Sequence, residues 1–116
     1  ILQNPDIDLS KKDDVMMTVE RLSGAAHDYV GDADPGDPLI SPMYGELTGL
    51  PPTLIQMGTA DLLLADCRKF YQKCLDAGVD VSYEEVSGAF HDFMMLSILP
   101  EAKRALRSQA AFLTTN

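Results

Sequence analysis

Basic residues are scarce in this sequence: nine Lys and Arg stand against eighteen Asp and Glu, for a net charge of -9. Binding a polyphosphate chain needs clustered Lys and Arg to release counterions, so the balance argues against a nucleic-acid partner. Long apolar runs are missing as well. No window approaches the roughly 18 to 20 apolar residues of a membrane span, and the first residues lack the charged-then-apolar pattern of a secretory signal. Cysteine and histidine occur twice each. Seven residues apart on a helix, Cys67 and Cys74 would stand about 10.5 Å apart along the axis. A disulfide needs Cα atoms within about 7 Å. They read as free, core-facing thiols, which fits a reducing cytoplasm. With His27 as the one histidine besides His91, no zinc site is expected, and no other metal or cofactor is implied.

What is present describes an ordinary globular domain. The 116 residues are 46% apolar and 23% charged, enough to bury one modest core. Acid is concentrated early: residues 1 to 46 hold ten Asp or Glu against three Lys or Arg, and the rest hold eight against six. The first stretch reads as a solvated surface layer.

Periodicity divides the chain into segments. Ser10 can cap a helix, and Val15, Met16, Val19, Leu22, Ala26 and Val30 follow at spacings of three and four, which predicts a helix over 12–31. Gly24 weakens it by about 1 kcal/mol relative to Ala, enough to break it in two. From Gly31 to Pro52, Asp34-Pro35-Gly36-Asp37-Pro38, Ser41-Pro42 and Pro51-Pro52 mark turns and extended loop. So long a loop hints at the wall or lid of a site. Thr53 to Gly58 is a short apolar run of the sort that forms a strand covered on both faces. Leu63, Cys67, Phe70, Tyr71 and Cys74 make a helical stripe that ends at Ala77-Gly78. Val79, Val81 and Tyr83 then alternate with polar residues in a second strand, 79–86. A final amphipathic helix opens at Pro100, its stripe formed by Ala102, Leu106, Gln109 and Leu113.

Strand, helix and strand over about 34 residues form a βαβ unit, an α/β architecture whose parallel strands end at one sheet edge, where open α/β sheets hold their ligands. Asp61 follows the first strand and His91 the second. A carboxylate and an imidazole leaving adjacent loops can form the acid-base half of a catalytic triad, the acid fixing the ring tautomer. Taken alone, Asp61 serves equally well as a helix N-cap, and His91 as a structural loop residue. Asp66 is a rival acid, expected to point away from the strand end. The two candidates gain weight from meeting at one edge.

These residues also carry a family resemblance. Leu50-Pro51-Pro52-Thr53-Leu54-Ile55-Gln56-Met57-Gly58-Thr59-Ala60-Asp61, with Leu63 and Asp66, resembles the acid-bearing segment of hormone-sensitive-lipase-like esterases, which are α/β-hydrolases. Ala77-Gly78-Val79, then Gly88, His91 and Phe93, resembles their histidine segment. Asp37-Pro38-Leu39-Ile40-Ser41-Pro42 resembles the family's connection between the halves of the site, and Asn4-Pro5-Asp6-Ile7-Asp8-Leu9-Ser10 is similar to the end of the strand and the turn that follow its nucleophile helix. Leu62, Ala65 and Cys67 depart from the family pattern, which has Pro or Glu near 62 and an acidic residue or Gly around 65 to 67. The departures sit beside the acid and leave it in place.

One part of the family pattern is absent. No Gly-Xaa-Ser-Xaa-Gly elbow and no His-Gly-Gly run occur here. Family order puts both upstream of Ile1. The resemblance therefore implies the carboxy-terminal portion of one α/β-hydrolase domain, residues 1–116, with a cap-associated helical segment at 11–31 and the βαβ unit plus final helix at 53–116. It implies a serine carboxylesterase or lipase-like parent acting on small ester substrates. Asp61 and His91 would be the catalytic residues, and this chain would be inactive by itself. The bared sheet edge would self-associate or pair with the missing amino-terminal part. Val15, Met16, Val19 and Leu22 would either line the acyl pocket or simply pack a helix. A lactonase, amidase or peptidase on the same fold is the alternative within enzymes. A receptor-like relative would be expected to lose the histidine.

Overall fold

The computed structural model describes residues 14–115. The strand end and turn expected over Asn4 to Ser10 and the cap at Ser10 lie outside them. The order of elements is helix α1 (Val19–Val30), a 3-10 turn at Pro42–Tyr44, strand β1 (Thr53–Gly58), helix α2 (Leu64–Asp76), strand β2 (Val81–Val86), a second 3-10 turn at Phe93–Met95, and helix α3 (Pro100–Thr115).

α1 starts later than its apolar spacing suggested. The Asp14 carboxylate accepts the N–H groups of Met16 and Met17, at 2.9 and 3.1 Å, which turns the chain before a helix can form. Thr18 then caps the helix by accepting the Arg21 N–H at 3.3 Å. Gly24 does not break it. α1 runs unbroken to Val30 and is closed by Gly31, whose N–H bonds the His27 carbonyl at 2.9 Å with φ at +54°. From Gly31 to Pro52 the chain is loop apart from the 3-10 turn. Lys73 Nζ ties the turn to α2 by donating to the carbonyls of Met43, at 2.5 Å, and Gly45, at 3.3 Å.

β1 and β2 are parallel neighbours in register from Thr53 opposite Val81 to Gly58 opposite Val86. β2 begins two residues later than predicted, because the Val79 N–H is drawn back to the Cys74 carbonyl at 2.9 Å as α2 ends. One face of the sheet meets α2: Cys74, fully buried, packs with Val79 and Leu47 and against Phe70 and Val81, while Tyr71 stacks on Tyr83 with ring centres 4.6 Å apart. The other face meets α3, where Phe93, 1% exposed, packs with Ala89, Ala102 and Ala105.

α3 turns Ala102 and Gln109 of the predicted stripe toward the sheet, but not its two leucines. Leu106 and Leu113 are exposed, and Ala102 and Ala105 are buried. The reason is polar. Gln56 donates to Glu84 Oε2 at 2.6 Å, Ser108 donates to Glu84 Oε1 at 2.5 Å, and Gln109 donates to Gln56 at 2.8 Å. Once Gln56 and Glu84 stand opposite each other in register, α3 must offer them Ser108 and Gln109 rather than leucine.

Candidate active site

Beyond Gly58 and Val86 the two strands stay zipped. The Thr59 N–H bonds the Val86 carbonyl at 3.0 Å, and the Ala60 N–H bonds the Ala89 carbonyl at 3.0 Å. The Thr59 hydroxyl accepts the N–H of Gly88 at 2.8 Å, holding the tight turn in which Gly88 has φ of +72°. Gly58 makes this closeness sterically feasible. A Cβ there would lie 2.0 Å from the Ala89 carbonyl oxygen, a backbone atom with nowhere to retreat. The acid loop and the histidine loop are thus one hydrogen-bonded unit.

At its tip, Asp61 Oδ2 lies 3.0 Å from His91 Nδ1. Asp61 Oδ1 accepts the Leu63 N–H at 2.8 Å. The cap-like role and the imidazole contact therefore belong to the two oxygens of one carboxylate. Its side chain is 4% exposed and that of His91 25%, so the acid is shielded while the ring reaches solvent. A carboxylate accepting at Nδ1 puts the proton there and leaves the Nε2 lone pair free to act as a base. Asp92 approaches Nε2 at 3.5 Å, but its carboxylate is more than half exposed. This contact is loose and screened. Asp92 is the one non-glycine residue with positive φ, +53°, among the described residues, a conformation Asp tolerates. Two residues after His91, buried Phe93 fastens the histidine loop beneath α3.

Asp66 is buried in the first turn of α2, and the His91 ring bonds Asp61 and not Asp66. Burial first, and then the Asp61 and Asp66 charges, push the Cys67 thiol up to about 11. Burial also raises Cys74. Among the described residues no three His, Cys, Asp or Glu side chains gather as metal ligands, and no helix is long and apolar enough to cross a membrane. Away from Asp61, α1 and the following loop wall an open groove of about 540 Å³, with Leu22, Ala26, Val30, Ile40 and Tyr44 among its lining. Val15 and Met16, predicted with Leu22 as pocket or packing residues, are exposed.

Sequence reasoning missed Gly58, Thr59 and Asp14. A glycine ending an apolar strand was a signal for the first, since close backbone approach is a standing reason for glycine there. Nothing local marks the other two. Their partners, Gly88 and Leu62, lie 29 and 48 residues away.

Comparison with known proteins adds the family context. A family model described as alpha/beta hydrolase fold matches residues 2–95. An esterase of Acinetobacter venetianus is 37% identical over 99% of this chain and 42% of its own length. An acetyl-hydrolase of Streptomyces hygroscopicus is 40% identical over 90% of this chain and 36% of its own. The chain thus spans well under half the length of either relative. Among solved structures, an esterase of the bacterial hormone-sensitive lipase family superposes with a TM-score of 0.82 at 38% identity, covering 86% of this chain and 34% of that one. An esterase/lipase from an uncultured bacterium superposes with a TM-score of 0.88 at 29% identity, over 97% and 38%.

Proposed function

This chain belongs to the hormone-sensitive-lipase-like family of α/β-hydrolases, and from that membership we propose that the whole protein is a serine carboxylesterase acting on small esters. The observation that carries the proposal is the 3.0 Å contact between Asp61 Oδ2 and His91 Nδ1 at the carboxyl ends of neighbouring parallel strands. An upstream serine attacks the ester carbonyl. His91 Nε2 takes its proton and returns it to the leaving alcohol, while Asp61 keeps the ring in the productive tautomer and stabilises the imidazolium. The esterase and acetyl-hydrolase names of the relatives support esters as the substrate class.

The test is hydrolysis of a short p-nitrophenyl ester by the whole protein. His91→Ala is expected to abolish most turnover, and Asp61→Asn to cost on the order of 10,000-fold, as loss of the tautomer does in other triads. Asp66→Asn costs far less. Activity that survives His91→Ala would end this reading, and activity that follows Asp66 instead of Asp61 would reassign the acid.

The 116 residues alone contain no nucleophile elbow and are expected to hydrolyse the ester no faster than free imidazole does, because one oxyanion donor by itself is worth about 100- to 1,000-fold. With only two strands in the sheet of the described residues, each strand keeps an unpaired edge. The isolated chain is therefore expected to self-associate or to pair with the upstream part of the protein, which sedimentation over a concentration range would detect. Two free thiols suit a reducing compartment, and the proposed location is the cytoplasm.

A further inference from the structure

We propose that Asp14 is a positioning residue for the Asp61–His91 pair, an inference that rests on the acyl-hydrolase reading above. Asp14 is 8% exposed, far from the acid in sequence, and its carboxylate spans two segments. Oδ1 holds the Met16 and Met17 N–H groups of its own turn. Oδ2 accepts the N–H of Leu62, the residue directly after the acid, at 3.3 Å.

The peptide between Asp61 and Leu62 is the one whose rotation turns the Cα of Asp61 and swings its carboxylate relative to the ring. On the strand side the acid is held by its own N–H to the Gly58 carbonyl, at 3.2 Å, and by the Ala60 bond to Ala89. On the far side Asp61 Oδ1 takes the Leu63 N–H, and Asp14 takes the Leu62 N–H. Consecutive backbone donors are thus filled by two buried carboxylates, one local and one brought from 48 residues away. Leu62 is 4% exposed. Without Asp14 its N–H loses a charged acceptor where water does not readily replace it, and the loop must turn to find another. A triad tolerates little such motion, since a displacement of about 1 Å can cost on the order of 100-fold in rate.

A double-mutant cycle on the whole protein separates positioning from simple structural support. Asp14→Ala is expected to lower kcat for a short p-nitrophenyl ester by roughly 10- to 100-fold with KM changed less than about threefold. In an Asp61→Asn background the same substitution is expected to cost less than about threefold, because the group it positions no longer works. Asp14→Asn, which keeps one acceptor oxygen, should recover part of the loss; it replaces Asp14→Ala in the cycle if the alanine variant does not fold. Nitrogen-15 spectra of the His91 ring should show the Nδ1-protonated tautomer giving way to a mixture in the Asp14 variant. Losses that multiply in the Asp61→Asn background, or an Asp14→Ala enzyme with unchanged kcat, would overturn the inference while leaving the esterase reading intact. Full activity of Asp61→Asn itself would overturn that reading and this inference with it.

Discussion

Between Asp14 and Pro52 only Asp14 and Leu47 are buried, and α1 buries no residue at all; between Thr53 and Ala105 the chain builds two apolar clusters, one on each face of β1 and β2. Both regions carry apolar residues at helical spacing. The difference lies in what their stripes meet. α2 and α3 each find a sheet face, whereas the α1 stripe faces an open groove shared with its own loop. Apolar periodicity therefore announces a surface that wants covering and does not by itself provide the cover. Among the described residues, the looser region is fastened to the tighter one by Asp14 to Leu62, by Lys73 to the Met43 and Gly45 carbonyls, and by Leu47 against Cys74 and Val79.

The contrast can be broken first at Phe93. Phe93→Ala empties the core between the histidine loop and α3 and is expected to cost about 3 to 5 kcal/mol in denaturant unfolding of the whole protein. Gly58→Ala attacks the unit differently, by forcing a methyl group into the Ala89 backbone. About 1 to 3 kcal/mol of strain is expected, together with a kcat loss of at least about 100-fold as the acid and histidine loops are driven apart. A Gly58→Ala enzyme with normal turnover would show that the two loops do not move as one. Thr59→Val removes the acceptor for Gly88 and should cost about 1 kcal/mol.

Cys67 sharpens the electrostatic side of the comparison. With its thiol pushed up to about 11, only about one molecule in a thousand carries the thiolate at pH 8. The rate of alkylation in the native protein should therefore keep climbing with pH well past 9, as measured by mass spectrometry of the modified peptide. A plateau near pH 9 would contradict the buried, acid-flanked setting. The smallest effect is expected in the loose region: Leu39→Ser, at a side chain 89% exposed, should change stability by no more than about 0.5 kcal/mol. A loss above about 1 kcal/mol would show that the whole protein covers this face.

Much of the candidate site was legible without coordinates. Period-two and short apolar runs marked the strands, and a carboxylate and an imidazole just past their ends fell at one edge because parallel strands must finish together. The sequence also placed the α2 stripe correctly at Cys74 and Phe70. It misjudged the start of α1, since a side chain at Asp14 outcompetes the helix for the Met16 and Met17 N–H groups. It placed Ala102 and Gln109 on the inner face of α3 but misjudged Leu106 and Leu113, because that face meets a pair of polar strand residues, Gln56 and Glu84, whose meeting depends on register.

Local pattern, then, determined which residues stand at the sheet edge, because the alternation of side chains and the ends of apolar runs are properties of neighbouring residues. Tertiary structure alone decided how they are held. The split duty of the Asp61 oxygens, the Gly58 contact with Ala89 and the Asp14 bond to Leu62 each join segments 30 or more residues apart or depend on such a joining. No short window of sequence contains both partners of the contacts to His91, Ala89 and Leu62, which exist only once the chain has brought them together.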